Sequence, residues 1–538
     1  MTVSSSRATA FSRRTAFKAG VAGLGAAVMT GSPSGSPVLA QSATPTLSVT
    51  DRVTQAVDTL DGLITSMMAS SGIPGLAVAV VHDDEVLLTA GYGVTSTETN
   101  ASVDADTMFQ LASLSKPIAS TVIASIVGDG LVDWDKRLVE HLPDFMLNDG
   151  WVTNEVTIRD MLTHRSGLPE HAGDVLEDMG YDREEVLHRL RYQPLTSSFR
   201  SLHAYTNFGF TAGAIAASNA DGGAWEDVSQ ARLYDPAGMT RTSSRFADFA
   251  DDANHAFGHV LENGSWIPKY VRQPDAQSPA GGVSSSARDM AQWLRLQLGN
   301  GTLEGVEVAA AEALAETHRP QSFSRPAADP SVDQPGMYGL GWNVHYTAQS
   351  GVQLGHSGAF AIGAGTAVYM LPAMNLGIVV LTNATPVGIA ESVALSFLDI
   401  VNFGEVQADY LPILASVMAE SLAPTYGQDI DVDNPPPDPA PSLDVAAYEG
   451  LYLNDYYGEV RVVAQADGLT LSQGPNPDVY PLTHWERDTF IYLPIGENAN
   501  FWSAVTFTID PGGTVSRVTI ENLDILGLGT FIRGTNAD

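Results

Sequence analysis

Apolar residues at Val53, Ala56, Val57, Leu60, Leu63 and Ile64 recur every three or four positions, which predicts an amphipathic helix from about Asp51 to Ser70. Pro74-Gly75 ends that pattern. Two apolar runs, Leu76 to Val81 and Val86 to Tyr92, then flank the polar turn His82-Asp83-Asp84-Glu85. That order predicts a β-hairpin. A second hairpin is predicted where Gly365 to Met370 and Leu376 to Thr382 are split by Leu371-Pro372-Ala373-Met374-Asn375. Helical periodicity falls between the two hairpins, at Ile158–Thr163, Asp182–Tyr192, Ala287–Leu298 and Ala309–Thr317. Met108 to Ile126 reads as a loop entering a helix. The expected fold class is therefore α+β: an antiparallel sheet completed by both ends of the domain, flanked by helices, with a helical lobe inserted.

The pattern changes near residue 433. Asn434-Pro435-Pro436-Pro437-Asp438-Pro439-Ala440-Pro441 is a stiff, extended linker. Beyond it, strand-like runs occur at Val460–Val463, Leu469–Leu471, Thr489–Leu493, Ala504–Ile509, Val515–Ile520 and Gly529–Ile532. Short strands separated by turns predict a small all-β domain, a barrel or a sandwich, of which the barrel is the one expected. The expected division is a leader (1–40), a polar lead-in (41–52), a first domain (53–405), a helical segment with the linker (406–443) and a β domain (444–538).

Charge narrows the partners. The 538 residues include 27 basic and 62 acidic side chains, a net charge of −35. The first 40 residues hold four basic groups and no acid, so the remainder stands at −39. Such a surface repels nucleic acid and anionic membrane. Cysteine is absent, which excludes disulfides, thiolate catalysis, cysteine-ligated zinc and a cysteine-linked lipid anchor. Ser12-Arg13-Arg14-Thr15-Ala16-Phe17-Lys18 precedes a Gly/Ala-rich apolar run and then Val38-Leu39-Ala40, the order of a twin-arginine export signal. An extracytoplasmic protein, not inserted in a membrane, is expected.

Three stretches carry chemistry. In Ser113-Leu114-Ser115-Lys116-Pro117 the proline requires a helix to start close by, which sets Ser113 at its tip and Lys116 one turn on. A serine hydroxyl needs a neighbouring base, and a helix N-terminus supplies N–H groups for an oxyanion. Tyr205-Thr206-Asn207 offers a phenol able to act as a phenolate-type base, and an amide for a substrate carbonyl. Gly355-His356-Ser357-Gly358-Ala359-Phe360 offers a strand edge that a substrate backbone can approach, with the Ala359 N–H as second oxyanion donor beside that of Ser113.

These motifs, 92 and 151 residues apart, resemble those of the penicillin-recognising serine hydrolases: class C β-lactamases, D-alanyl-D-alanine carboxypeptidases, D-aminopeptidases and related esterases. The resemblance spans roughly residues 53–405. It takes in Gly91-Tyr92-Gly93, the stretch Met161 to Pro169 and Ser278-Pro279-Ala280-Gly281-Gly282, of which the last two resemble scaffold signatures. It implies Ser113 as nucleophile, Lys116 and Tyr205 sharing acid–base work, and Asn207, His356, Ser357, Gly358 and Ala359 binding substrate. Class C β-lactamases usually carry lysine where this chain has His356, which turns the resemblance toward the peptidase and esterase members. A histidine there is expected to make substrate-carboxylate affinity depend on pH.

The segment Asp455-Tyr456-Tyr457-Gly458-Glu459-Val460 is similar to lipocalin-like domains appended to such hydrolases, which implies a role in substrate access or homo-oligomer assembly. No cofactor is implied. His255 and His259 have a metal-ligand spacing but no third ligand nearby, so no metal site is expected. The expected reaction is acyl transfer through Ser113 on small amides, short peptides (D-configured ones included) or esters. A β-lactamase is one alternative; a penicillin-binding sensor without efficient turnover is another.

Overall fold

The computed structural model describes residues 48–534 except 332, 467, 477 and 498–500. The expected leader, residues 1–40, lies outside the described residues. Helix α1 (Val49–Ser71) starts within the stretch read as a polar lead-in, because Ser48 and Asp51 form a reciprocal capping box. Its buried residues Val53, Ala56, Leu60 and Ile64 are the apolar stripe seen in the sequence.

One eight-stranded antiparallel sheet forms the centre. In chain order its strands are β1 (Gly75–His82), β2 (Glu85–Gly93), β3 (Ser322–Arg325), β4 (Gly336–Tyr338), β5 (Asn343–Thr347), β6 (Gly351–Phe360), β7 (Ala364–Leu371) and β8 (Leu376–Thr382). Their spatial order is β2-β1-β8-β7-β6-β5-β4-β3. The two predicted hairpins meet at β1 and β8, with Leu76 opposite Thr382. Both ends of the domain therefore complete the sheet, as expected. Strands β3 to β5 were not foreseen; they are short and part polar, with little periodicity.

Alternation across the sheet sorts its two faces. Leu76, Val78, Val80, Ile378 and Val380 pack with α1 and the later helix Ile389–Phe403. Ala77, Ala79, Val81, Val379 and Leu381 face the other way, into the cluster shared with the helix Ala287–Leu298 and the helical lobe. Two more helices matter for the site: α2 (Ser115–Gly128) and α3 (Asn207–Asp221).

After the linker, eight strands close into a barrel, from Gly450–Asn454 round to Thr530–Arg533, whose first and last strands pair. Gly450–Asn454 and Val479–Glu486 are additions to the predicted set. The interior is packed with side chains, among them Tyr448, Tyr452, Phe490, Phe507 and Phe531. Among the described residues no helix is long and apolar enough to cross a membrane.

Candidate active site

The serine turn is held from three sides. Phe109-Gln110 pairs with Ser284-Ser285, Leu111 N–H donates to Val283 O, and Ser115 Oγ accepts from Val283 N–H at 2.9 Å. Ala112 takes φ 48°, a left-handed conformation rare for alanine, immediately before Ser113. Ser113 lies in a single 3₁₀ turn and α2 begins at Ser115. Pro117 falls in the first turn of α2, where a missing N–H costs nothing. The site serine is half-buried, whereas Lys116 is fully buried.

Helix α3 brings the second stretch. Thr206 caps it, its Oγ1 accepting from Gly209 N–H at 3.2 Å, which fixes Tyr205 and Asn207 on either side of the cap. Tyr205 OH lies 2.8 Å from Ser113 Oγ. Lys116 Nζ lies 3.3 Å from the same oxygen. That ammonium or amine nitrogen also meets Asn207 Oδ1 at 2.6 Å and Ala280 O at 2.9 Å. Ala280 belongs to the stretch read as scaffold, so that stretch touches the site through a carbonyl.

The third stretch is the end of β6. Strand β5 pairs with β6 only as far as Gly355, so His356 to Phe360 have β7 on one side and the Ser113 turn on the other. A Cβ on Gly358 would stand 2.3 Å from Leu111 O and 3.1 Å from Ser113 N. Only glycine permits that approach. Thr366, opposite Gly358 on β7, donates its hydroxyl to Leu111 O at 2.8 Å and ties the turn to the sheet. Ala359 is part-exposed beside the turn.

Two readings of this strand change. His356 is buried; Nδ1 bonds Ser357 O at 2.7 Å and Nε2 meets Tyr338 OH at 3.0 Å. Burial, helped by the positive charge of Lys116, pushes its pKa down to about 3. Burial holds the imidazole neutral near pH 7, so the pH-dependent hold on a substrate carboxylate expected of His356 finds no support in that group. The Ser357 side chain points to the opposite sheet face, toward the buried carboxylate of Glu391. Only its backbone is left for substrate.

Electrostatics separates the two groups expected to handle protons. Burial lowers the pKa of Lys116 to about 7, although Asp174 opposes it. Burial raises that of Tyr205 well above the ordinary phenol value. Burial therefore disfavours, in the resting site, the phenolate form anticipated from the sequence.

Sequence reasoning missed a second layer. Asp174 is buried and its Oδ2 accepts from Asn207 Nδ2 and meets His171 Nδ1, both at 2.8 Å. The His171–Asp174 spacing was visible, but nothing in it pointed to Asn207. His164 lies under Tyr205, ring centroids 4.6 Å apart, and its Nδ1 accepts from Thr206 N–H at 3.2 Å. Its motif was read as scaffold; the ring packs directly on Tyr205. His255 and His259 go elsewhere: His259 bonds Thr97 N–H and Asn383 O, and His255 bonds Asp252 O. Among the described residues no group of three or more potential ligands could hold a metal.

A sheet of this order with a buried lysine and a phenol converging on a serine defines a β-lactamase-like fold. The beta-lactamase family model matches residues 60–394, more than half of the chain, and the protein belongs to that family. A domain of unknown function, DUF3471, matches residues 434–529. The chain is 27% identical to the unguisins hydrolase ungD of Aspergillus violaceofuscus over 508 residues, covering 87% of this chain and 88% of that one. It is 26% identical to penicillin-binding protein 4 of Amycolatopsis lactamdurans over 394 residues, covering 71% and 93% respectively. The fold is also that of the octameric penicillin-binding protein homologue from Pyrococcus abyssi, with TM-score 0.55, 19% identity, and coverage of 89% of this chain and 100% of that one.

Proposed function

We propose that the protein is an exported serine hydrolase that works through an acyl-enzyme on Ser113. The observation that carries this is the convergence of Tyr205 OH and Lys116 Nζ on Ser113 Oγ, at 2.8 and 3.3 Å. A neutral amine has two N–H bonds and one lone pair. Asn207 Oδ1 and Ala280 O take the two N–H groups, which leaves the lone pair for the serine proton. In this reading Lys116 is the general base for acylation. Tyr205 relays the proton: as its O–H goes to the leaving group the Lys116 ammonium returns the serine proton to it, and in deacylation a proton from the attacking water runs back through the same pair to Ser113 Oγ. The N–H groups of Ser113 and Ala359 receive the oxyanion of both tetrahedral intermediates. Asn207 keeps one N–H for a substrate carbonyl, since its oxygen and other N–H are engaged.

Substrates are small amides or peptides, D-configured ones included, or esters. Hydrolase naming of the ungD relative supports turnover over permanent acylation. Efficient β-lactamase action is disfavoured by the neutral His356 where a cation would meet the β-lactam carboxylate. Export rests on the arginine pair and apolar run of the first 40 residues. The division into 53–405 and 444–538 is part of this reading; the sheet runs from Gly75 to Thr382 and the barrel from Gly450 to Arg533. Any homo-oligomer is assigned to the barrel.

The test is labelling with a fluorophosphonate or penicillin probe, with Ser113→Ala as control, followed by a screen of esters and D-peptides. Retained labelling in Ser113→Ala sinks the assignment. Nitrocefin turnover at ordinary enzymatic efficiency would move the reading to a β-lactamase.

A further inference from the structure

The barrel reaches both walls of the cleft. On one wall, Tyr456 OH accepts from Gly173 N–H at 2.9 Å, one residue before the Asp174 that orients Asn207. On the other, the Glu497 carboxylate accepts from Ala361 N–H at 2.5 Å and, more weakly, from Ile362 N–H at 3.4 Å. Those amides follow directly on the end of β6. The residue between them and Ala359 is Phe360, which is buried against Ala112, the strained neighbour of Ser113. The Arg272 guanidinium covers the Phe360 ring at 5.0 Å and pairs with Glu177, while Arg272 O accepts from Gln110 Nε2 at 2.7 Å. The Glu497 backbone is itself held, its N–H donating to Asp178 Oδ1 at 3.1 Å.

These contacts form one continuous path: barrel loop, Ala361, Phe360, Ala112, Ser113. We propose that Glu497 is a positioning residue of the reaction, by which the C-terminal barrel sets the spacing between the Ala359 and Ser113 N–H groups. The inference rests on the acyl-enzyme reading above. Its physical basis is the free edge of β6. Beyond Gly355 that strand lacks its β5 neighbour, and besides β7 and the serine turn its outer end is held at Ala361, whose carbonyl accepts from Thr385 Oγ1 at 2.6 Å and whose N–H donates to Glu497. Two N–H groups at the turn after it would otherwise face the barrel unpaired, and the two carboxyl oxygens of Glu497, whose pKa burial pushes up to about 8, accept them. An oxyanion hole loses most of its worth when a donor moves by about 1 Å.

The experiment uses the full chain and a fluorophosphonate probe, whose tetrahedral adduct needs the oxyanion donors. Glu497→Ala is expected to slow labelling of Ser113 by about tenfold or more. Glu497→Gln retains an acceptor for Ala361 N–H and is expected to stay within about threefold of wild type. Asn476→Ala removes a docking bond to Asp178 O without touching β6, and is expected to label normally. Melting temperatures of all three report whether the barrel stays in place. Wild-type labelling in Glu497→Ala, no rescue by glutamine, or equal slowing in Asn476→Ala overturns the proposal. If the wild-type chain fails to label, the acyl-enzyme reading falls, and this inference with it.

Discussion

The amide oxygen of Asn207 lies 2.6 Å from Lys116 Nζ, a closer contact than the 3.3 Å between that nitrogen and Ser113 Oγ. The lysine is thus held by its neighbours first and shares the serine second. Asp174 fixes which way the amide faces, because its carboxylate accepts the Asn207 N–H. A base held in this way is oriented before substrate arrives.

Lys116 must be neutral to take the serine proton, so kcat/KM is expected to rise as pH passes through about 7. Asp174 favours the charged lysine. Replacing it with asparagine removes that charge and keeps an acceptor for Asn207. The Lys116 pKa then falls and the acidic limb moves to lower pH. The groups facing the lysine are Tyr205, Asn207, Ala280 O and Asp174, with His164, His171 and His356 within electrostatic reach. A pH–rate series on wild type and Asp174→Asn measures the shift. A limb that stays put or moves up contradicts it.

Lys116→Ala and Tyr205→Phe are each expected to cut turnover by ~100-fold or more, the size of a lost acid–base group. Tyr205→Phe keeps the ring under Lys116 and beside His164, so its loss reads on the hydroxyl alone. Near-native kcat in either variant removes that residue from the mechanism.

Gly358→Ala places a carbon 2.3 Å from Leu111 O and 2.3 Å from Thr366 Oγ1. Strand and turn must part. Labelling of Ser113 is expected to fall by about 100-fold while circular dichroism stays native-like. Unchanged labelling would mean that β6 and the serine turn are not tightly coupled.

His356 is neutral and bonded to Tyr338. His356→Gln is therefore expected to leave the acidic limb of the pH profile where it is, whatever it does to KM. Displacement of that limb would identify the imidazole as a titrating group.

The sheet and its closing strands were legible because β1, β7 and β8 are mostly apolar runs bounded by turn residues. The helix Ala287–Leu298 was legible in full from its apolar stripe. Strands β3 to β5 were not, since short edge strands carry no strong alternation. Ser113, Lys116, Tyr205 and Asn207 were found from motif chemistry, and the fold brings their side chains together. Asp174, His171 and the Ala280 carbonyl were missed. Their positions depend on tertiary packing across the lobe, which no local spacing encodes. His356 was read as a pH-dependent substrate contact because sequence does not reveal its burial or its bond to Tyr338.

Leu76 and Thr382 are partners in adjacent strands, yet about three hundred residues separate them in the chain. At a synthesis rate of roughly 5–20 residues per second, the apolar first hairpin waits on the order of 15 to 60 s for its neighbour. Nearly everything between must be made before the central pairing can begin, a topology that folds slowly. Helix α1, made first, can cover one face of that waiting hairpin, and its other face is expected to stay open until β8 and the helical lobe arrive.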